Sequence, residues 1–593
     1  MGDLRKHGIT LHLLLDSERE PIPDVPAIYF LQPTRSNIKR LGEDCARGLY
    51  ETYYINFAPS IPRPLLEELA AITLESGTAS QVSKVVDQYV NFVSLEEDFF
   101  SLQIENSFVK LNGPSATDSS VESAIDEMVS GLFSAVVTLG TVPVIRYLQG
   151  GAAQMVAERL GRKLYDQLRS QPALFNDTSN FLRPLMLIVD RSIDIGMMLE
   201  HSWSYCGLCH DLLDMQLNKV SIVEKTEQGA RQRTYDLQQA DAFWSEHMGA
   251  AFQSVAADVD KELSDYRAAM EEINRGGKQE MTDLNETTRA LASTLDALPE
   301  LQEKKRVIDA HMNIATELLS HIKANRAIPH RAALWSPCKT LTVHSLTSTL
   351  CGEDKATLSQ LLESGGTVDD RLRLLLVLLL LPDSQGVPKE ETEKAEVALQ
   401  ARANAPRPRL SVLLAMHAAG ADLRPLAWLR GMQQLNMMQV SARAQRSGEV
   451  ISSGVFSKAM KLADHVGVGS NARWVTSALA AGVKQMLPSR RETPLTRAAF
   501  HLMDNKQGLE DEMYALIDPK ISPTSDGTNG SRHRTQCSTA IVFIAGPGNY
   551  LEYLSLRQQL GQPAAGGGKK ITYGCAEVLT PQQFLAASAQ CAS

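Results

Sequence analysis

The chain has 593 residues, of which 44% are hydrophobic and 22% charged, and its formal net charge is -10 at pH 7. One hydrophobic core rarely organises this length, so we expect roughly three or four domains. The negative charge argues against broad nucleic-acid or anionic-membrane binding. The longest apolar run, Leu374–Leu381, is too short to cross a bilayer.

The first hundred residues alternate between strand and helix patterns. Strands are predicted over Thr10–Leu15, Ala27–Leu31 and Tyr53–Phe57. Helices are predicted over Ser36–Tyr50, capped by Ser36, and over Pro64–Leu74 and Ser80–Val90. This alternation predicts a parallel sheet with helices on its faces. A last apolar piece follows at Phe99–Leu102, and the Gly, Pro and Ser-rich linker after Leu111 predicts a first domain of residues 1–111.

A second α/β domain is predicted after this linker. Its elements are the helix Val121–Val137, the strand Val142–Ile145, the helix Ala152–Leu168, the strand Leu185–Val189 and the helix Ser202–Leu217. Leu185–Val189 is a continuous apolar run that ends in charge, which is typical of a strand buried on both faces of a parallel sheet. Strand character resumes only at Ile541–Ala545 and Ile571–Tyr573. We therefore expect residues 112–222 and 455–593 to form one domain that is interrupted by a helical domain of residues 223–454.

Two apolar stripes run through the predicted insertion, each with a period of seven residues. They are Phe252, Val259, Tyr266 and Ile273, and then Leu301, Ile308, Ala315 and Ile322. Glycines between the stripes predict that the two helices form a protruding hairpin. The stripes have two interpretations: they pack against each other, or part of them accepts amphipathic helices of another protein.

Asp190, Arg191 and Asp194 follow the predicted central strand, where open α/β sheets bind their ligands. One interpretation is an α/β enzyme, which needs a pocket of convergent titratable groups around Asp190. The other is a structural cluster that ties loops or domains together through charge-assisted hydrogen bonds. The sequence near them contains neither a nucleophile motif nor a metal-ligand set, which favours the structural interpretation.

The other motifs predict no cofactor, no metal and no enzyme. Cys206-Gly-Leu-Cys209-His210 matches the pattern of covalent haem attachment, but it lies on an amphipathic helix that uses Cys206 and His210 in its buried face. Zinc binding would need a second cysteine pair. Eight scattered cysteines without an apolar leader indicate a reducing compartment.

Six longer stretches resemble the SM family of SNARE regulators. They are VPAIYFLQPT at Val25, LYETYYINF at Leu49, DQYVNFVSLEEDFFSL at Asp87, TLGTVPVIR at Thr138, RPLMLIVDRSIDI at Arg183 and IVFIAGPGNYLEY at Ile541. Two more stretches are similar to the Sly-type branch, which serves traffic between endoplasmic reticulum and Golgi: LPELQEKKRVIDAHMNIA at Leu298 and ITYGCAEVLTPQQF at Ile571.

The resemblance implies an arch of two parallel-sheet α/β domains with a mostly helical domain inserted in the second. It also implies a non-enzymatic, monomeric, cytoplasmic protein that binds the Golgi syntaxin and promotes assembly of the SNARE bundle. Such a protein is peripherally associated with endoplasmic reticulum and Golgi membranes through SNAREs, and tethering factors are further candidate partners. The family begins with a helix and a strand upstream of GITLHLLL, so the resemblance implies that the first strand of the first domain is missing here.

The resemblance also assigns two binding surfaces. An apolar pocket for a short N-terminal syntaxin peptide is expected at Leu66, Leu69, Ala70, Val82 and Val85. The alternative is that these five side chains are core, since their spacing marks any buried helix face. The SNARE-binding face of the hairpin is expected near Val259, Tyr266, Ile273, Leu301, Ile308 and Ile322. Residues 328–353 do not follow the family pattern.

Overall fold

The structure is a computed structural model. It describes residues 2–175, 183–226, 229–238, 240–276, 284–324, 367–380, 422–434, 493–505, 509–521, 536–561 and 568–592. Within these residues no helix is both long enough and apolar enough to span a membrane. The divergent stretch 328–353 lies outside them.

Helices and strands alternate along most of the described chain. The strands are β1 (Ala27–Leu31), β2 (Tyr53–Phe57), β3 (Val82–Asp87), β4 (Val93–Glu96), β5 (Phe99–Ser101), β6 (Val144–Leu148), β7 (Leu185–Asp190), β8 (Lys219–Thr226), β9 (Gly229–Asp236), β10 (Tyr514–Ile517), β11 (Thr539–Gly548) and β12 (Lys570–Val578). The helices up to the predicted insertion are α1 (Gly2–Lys6), α2 (Arg35–Ala46), α3 (Arg63–Glu75), α4 (Ser107–Asn112), α5 (Asp118–Leu139), α6 (Ala152–Ser170), α7 (Gly196–Leu199) and α8 (Tyr205–Leu212). The remaining helices are α9 (Ala242–His247), α10 (Phe252–Gly276), α11 (Leu284–Ala324), α12 (Val368–Leu379), α13 (Arg424–Gln434), α14 (Pro494–Met503), α15 (Leu509–Glu512), α16 (Tyr550–Leu560) and α17 (Pro581–Gln590).

The larger sheet has seven strands in the order β10-β6-β7-β11-β12-β5-β4. β6, β7, β11, β12 and β5 run parallel, and the edge strands β10 and β4 are antiparallel to their neighbours. β7 is central, as predicted, because its apolar run is buried on both faces. Strands that are far apart in the sequence are neighbours in this sheet, since β11 pairs with β7 on one side and with β12 on the other. The predicted α/β fold class is confirmed.

The smaller sheet is parallel, with the order β1-β2-β3. The helices α2 and α3 pack together over one face, where Gly42 lies so near Ile72 that a Cβ atom on it would meet the Ile72 side chain at 2.7 Å. The opposite face carries exposed apolar side chains, because Ile28 and Phe30 are 66% and 64% exposed. Only one face of this sheet is therefore packed by helices of the described chain.

Three sequence predictions in this region are wrong. Thr10–Leu15 forms no strand, and Leu11, Leu13 and Leu14 are exposed. The predicted helix Ser80–Val90 is mostly the strand β3, because its backbone pairs with β2. The cap of α2 is Thr34 and not Ser36, since the Thr34 side chain accepts a hydrogen bond from the amide of Asn37.

The predicted first domain extends past the smaller sheet. β5, at the predicted apolar piece Phe99–Leu102, pairs with β12 of the larger sheet. The division of the chain into domains remains a prediction.

In the central part of the chain, α10 and α11 confirm the two long helices expected from the seven-residue repeats. The helix predicted over Ser202–Leu217 is shorter, because α8 ends at Leu212 and a turn with left-handed Leu217 and Asn218 starts an antiparallel ribbon. That ribbon, β8–β9, was not predicted. Farther along, α12 and α13 share an apolar cluster with α7 and α17.

Candidate functional site

The surface between α3 and the edge strand β3, here called the groove, is defined by four apolar side chains that are exposed or half-buried: Leu66, Ala70, Val82 and Val85. Ile72 of α3 faces α2, so Leu66 and Ala70, on the other flank of the same helix, face away from α2. Both are exposed, Leu66 to 39%. β3 supplies the opposite wall with Val82, which is half-buried, and Val85, which is 40% exposed. These four side chains are presented at the side of the sheet where β3 has no further strand neighbour within the described part of the chain.

Leu69 differs from the other four residues of the expected pocket. Its side chain is 3% exposed and belongs to the apolar cluster beneath α2 and α3, with Ile38, Tyr53 and Ile55. Leu69 therefore belongs to the core between the smaller sheet and its helices rather than to the surface of the groove. The alternative interpretation, that the residue is core, applies to this position.

The pairing of β3 with β2 explains why Val82 and Val85 lie on the same face of the sheet. Val82 and Val85 pair in register with Tyr53 and Ile55, whose side chains lie on the helix-covered face of the sheet. Neighbours in register on parallel strands share a face, so the two valines extend this apolar surface to the edge of the sheet. Exposed apolar side chains beside a strand edge that has no neighbour among the described residues suit an extended peptide with an apolar anchor.

Asp190 occupies the amino end of α6. Its carboxylate accepts a hydrogen bond from the Ala153 amide at 2.9 Å. Gly151 leaves room for it, because a Cβ atom at that position would clash with the carboxylate. Burial raises the pKa of the Asp190 carboxyl to about 6, although the amides of Ala153 and Ala152 act in the opposite direction. The helix end that could bind a phosphate is thus filled by the protein's own carboxylate.

Arg191 is locked in place by a buried network. Its Nη1 and Nη2 atoms lie 2.9 and 2.6 Å from the two carboxylate oxygens of Glu552, and it donates to the carbonyls of Pro547 and Asp194. The hydroxyl of Tyr573 donates to Glu552 at 2.6 Å. The side chains of Arg191 and Glu552 are 2% and 0% exposed. Burial alone would lower the pKa of Arg191, but Glu552 raises it above its ordinary value.

Asp194 completes this arrangement with local contacts, since its carboxylate accepts from the Met197 amide at 3.3 Å. All three side chains of the strand-end cluster are therefore engaged with backbone or with a buried partner. They connect α6, β7 and α16, and the enzyme interpretation of Asp190 and Asp194 gains no support from the geometry. Among the described residues no group of three or more His, Cys, Asp or Glu side chains could hold a metal ion.

The Cys-x-x-Cys-His motif is buried core. Cys206, Cys209 and His210 are 0%, 0% and 3% exposed. Burial raises the pKa of the Cys206 and Cys209 thiols well above the ordinary value and lowers the pKa of His210 to about 4. Neutral thiols and a neutral imidazole suit a packed helix face, as the sequence interpretation proposed.

The hairpin residues expected to bind SNAREs fall into different environments. Val259 and Ile308 are 6% and 4% exposed, so in this conformation they pack within the protein. Tyr266, Leu301 and Ile322 are half-buried, and the side chain of Ile273 lies outside the described residues. The stripes thus pack between helices over the described part, while exposed positions such as Lys261 and Lys305 are charged. Individual SNARE contacts stay a prediction.

Sequence reasoning missed the groups that hold these elements together. Glu552 lies 361 residues from Arg191, and nothing in the spacing connects them. Tyr205, His311 and Asp241 also meet across α8, α11 and the start of α9. Of these residues, Tyr205 and His311 carry a local sequence signal, because each is a polar residue on an otherwise apolar helix face.

The chain was compared with known proteins. The family model described as Sec1 family matches residues 1–587. A mouse protein, "Sec1 family domain-containing protein 1", is 36% identical over 98% of this chain and 89% of its own length. "SEC1 family transport protein SLY1" of Arabidopsis thaliana is 37% identical over 97% of this chain and 86% of its own.

A solved structure of Sly1p in complex with an N-terminal peptide of Sed5p has a TM-score of 0.76 at 29% identity, and it is matched over 100% of this chain and 88% of that one. The SM protein Vps45 in complex with the Qa SNARE Tlg2 shares the fold, with a TM-score of 0.61 at 17% identity.

The two sheets define an α/β protein. At the carboxyl end of β7, the side chains of Asp190, Arg191 and Asp194 bond to other groups of the protein. The chain belongs to the Sec1 family. The resemblance to SM proteins that the sequence motifs carried is confirmed.

Proposed function

We propose that this protein is a SNARE regulator that binds the N-terminal peptide of the Golgi syntaxin and promotes SNARE assembly for fusion between endoplasmic reticulum and Golgi. The observation that carries the proposal is the likeness over the whole chain to Sly1p, which was solved with an N-terminal peptide of Sed5p. The protein acts without catalysis, as a binding surface at those membranes. SNARE segments are costly to order, and a folded surface that holds them lowers that cost.

The groove between α3 and β3 is the proposed peptide site. Leu66, Ala70, Val82 and Val85 form its apolar walls, and Leu69 supports it from the core. A bulky apolar anchor of the peptide buries its surface between these walls, and such anchors dominate the affinity of small interfaces. The charged pair Arg63 and Glu67 on α3 is exposed and adjoins the apolar wall, since both residues lie within two helical turns of Leu66 and Ala70.

The test is calorimetric titration of the full chain with the N-terminal peptide of the Golgi syntaxin from its own organism. Leu66→Asp and Val85→Asp should each weaken binding by at least roughly tenfold, because each places a charge against an apolar anchor. Both positions are partly exposed, so the fold tolerates the change. Leu69→Asp is unsuitable, because a charge at this buried position would unfold the small domain.

The matched control is Ile28→Asp. It makes the same apolar-to-acid change in the same sheet, but at a 66% exposed position on the face opposite to α2 and α3. It should bind the peptide as the wild type does. Equal affinity of the Leu66→Asp, Val85→Asp and wild-type proteins would remove the groove assignment. No binding by any of them would contradict the proposed function.

A further inference from the structure

The strand β1 is an open edge of the smaller sheet. It pairs with β2 alone, and no other strand of the described residues lies beside it. The amide of Ala27 donates to the Thr52 carbonyl at 2.9 Å. Because the backbone groups of successive residues in a strand point to opposite sides, the odd-numbered residues of β1 face β2. The N–H and C=O groups of Ile28 and Phe30 therefore face the open side.

The open side of β1 has none of the features that discourage strand pairing. Natural sheet edges are protected by charged side chains, prolines or bulges. The five residues Ala27–Leu31 contain no charged residue and no proline, and their register with β2 has no bulge. The side chains of Ile28 and Phe30 are 66% and 64% exposed. We therefore expect this edge to take up a further strand.

A segment of the same chain is fixed next to this edge. Leu15 packs against the apolar cluster that contains Tyr29 of β1. The Arg19 guanidinium joins the segment to the strand, since it donates to the Leu14 carbonyl at 3.0 Å and to the Tyr29 hydroxyl at 3.3 Å. Arg40 of α2 donates to the Leu15 carbonyl at 3.3 Å. The end of the segment at Leu15 is thus held beside β1.

The residues before Leu15 have the pattern of a strand with one buried face. Residues 10–15 read Thr, Leu, His, Leu, Leu, Leu. Alternate side chains of a strand share a face, so Leu11 and Leu13 belong to the face of Leu15, which already packs against the core. In the structure residues 9–14 have no secondary structure, and Leu11 and Leu13 are 56% and 51% exposed. Two leucines whose pattern predicts burial are therefore left in solvent.

We propose that residues 10–15 are a strap that closes onto β1 as a further strand of the smaller sheet. Closure pairs the backbone of the strap with the outward N–H and C=O groups of Ile28 and Phe30. It moves Leu11 and Leu13 toward the core beneath α2. Leu14 stays on the opposite face, next to the exposed side chains of β1, where apolar cross-strand pairs are favourable.

The strap fits this edge better than a second copy of the chain does. Its end at Leu15 is already fixed beside β1, so only the residues before Leu15 have to move. A segment tethered this close has an effective concentration in the millimolar range, whereas a second copy is present only at the concentration of the protein itself. Residues 10–15 also match the five-residue length of β1.

Closure of the strap distinguishes the two edges of the smaller sheet. With β1 covered, β3 is the edge that stays open among the described strands, and it borders the groove. The strap thus directs an incoming extended peptide to the β3 side. This use in the cell rests on the proposed function, whereas the closure itself does not.

The test is hydrogen exchange of the full-length wild-type protein, followed by mass spectrometry with fragmentation that resolves single amides. With the strap open, the amides of Ala27, Tyr29 and Leu31 are bonded to β2 and those of Ile28 and Phe30 face solvent. With the strap closed, all five amides are bonded. We expect the amides of Ile28 and Phe30 to exchange at least roughly tenfold more slowly than their intrinsic rates.

Substitutions at two adjacent leucines give a matched comparison. Leu13→Asp places a charge on the face that closure buries, so the amides of Ile28 and Phe30 should exchange at nearly their intrinsic rates. Leu14→Asp makes the same change on the face that stays in solvent and should keep both amides slow. Leu13 and Leu14 are 51% and 82% exposed in the structure, so the rest of the fold tolerates either change.

Fast exchange of Ile28 and Phe30 in the wild-type protein would overturn the strap, as would a Leu13→Asp protein in which both amides stay slow. Protection that rises with protein concentration between about 1 and about 50 μM would assign the edge to a second copy and would overturn the strap as well. No syntaxin peptide takes part in this experiment. Failure here therefore leaves the peptide titration unaffected, and failure of the titration leaves the strap unaffected.

Discussion

Arg191 and Glu552 meet through two parallel charge-assisted contacts of 2.9 and 2.6 Å in a fully buried part of the larger sheet. The arginine follows β7 and the glutamate lies in the first turn of α16, so the pair joins the two chain segments that build this sheet. The remaining hydrogen bonds of the pair go to Tyr573 and to backbone carbonyls. This buried network leaves the Arg191 Nε atom without a hydrogen-bond partner among the described residues, but it engages both Nη atoms and both Glu552 oxygens, which explains why the polar end of β7 is structural.

Glu552→Gln should destabilise the protein by about 3–5 kcal/mol, because it leaves the Arg191 guanidinium buried without its counter-charge. Denaturant unfolding followed by tryptophan fluorescence measures the change. The control Glu67→Gln breaks the exposed pair with Arg63, whose side chains are 88% and 65% exposed, and should have almost no effect. An equally small effect of both variants would show that the buried pair does not stabilise this sheet.

Asp190 predicts a pH dependence of stability. Its folded-state pKa is about 6, above the usual 3.8, so the folded protein binds more protons than the unfolded chain between these values. Stability should therefore fall as the pH rises from about 4 to about 6. Asp190→Asn keeps an acceptor for the Ala153 amide and removes the titration.

For this variant we expect a gain on the order of 1–3 kcal/mol at neutral pH and a flatter profile below it. Thermal unfolding over that pH range measures both. Asp166→Asn, at an exposed position of the same helix α6, serves as the charge control and should leave the slope unchanged. If the stability of the Asp190→Asn protein still falls as the pH rises over this range, another titratable group causes the dependence.

Gly574 permits the close approach of β12 and β5. A Cβ atom at this position would overlap the ring of Phe100, which is buried on β5. Gly574→Ala should cost about 1–3 kcal/mol, because the ring must move in a filled core. Gly561→Ala is the control, since there the nearest atom lies 3.5 Å from the added carbon. Equal melting temperatures of the two variants would show that the ring relaxes freely.

Cys206 and Cys209 should resist alkylation in the folded protein at about pH 8. Both are fully buried with raised thiol pKa values, so we expect their labelling to be at least roughly 100-fold slower than after denaturation. Peptide mass spectrometry separates them from the half-buried Cys537. Rapid labelling of both cysteines in the native protein would contradict the core assignment.

The parts of the fold that could be predicted from sequence are those fixed by local patterns. β7 can be predicted because its continuous apolar run is typical of a strand buried on both faces. α5 and α6 can be predicted because their apolar residues recur at helical spacing. β3 was misassigned for a related reason: Val82, Val85 and Val86 follow helical spacing, while the actual conformation is set by pairing with β2.

In the candidate site, too, local sequence patterns predict some features and miss those that depend on long-range packing. Leu66 and Val85 are exposed whereas Leu69 is buried, and the motif match could not distinguish these positions, because burial depends on how α3 rotates against α2. The ribbon β8–β9 escaped prediction because β9 is largely polar and exposed over residues 231–234, although Val220 and Ile222 of β8 are buried. Contacts such as Arg191–Glu552 depend on which distant segments become neighbours, and no local pattern encodes that.

The place of β11 between β7 and β12 has a consequence for synthesis. Arg191 leaves the ribosome 361 residues before Glu552. At about 5–20 residues per second, this separation corresponds to roughly 20–70 s of translation. Throughout that interval β7 lacks its neighbour on one side, and its apolar side chains await the strand and helix that will cover them. Until β11 has been made, the apolar side chains of β7 are therefore open to aggregation, and the sheet can close only after residues 539–548 have left the ribosome.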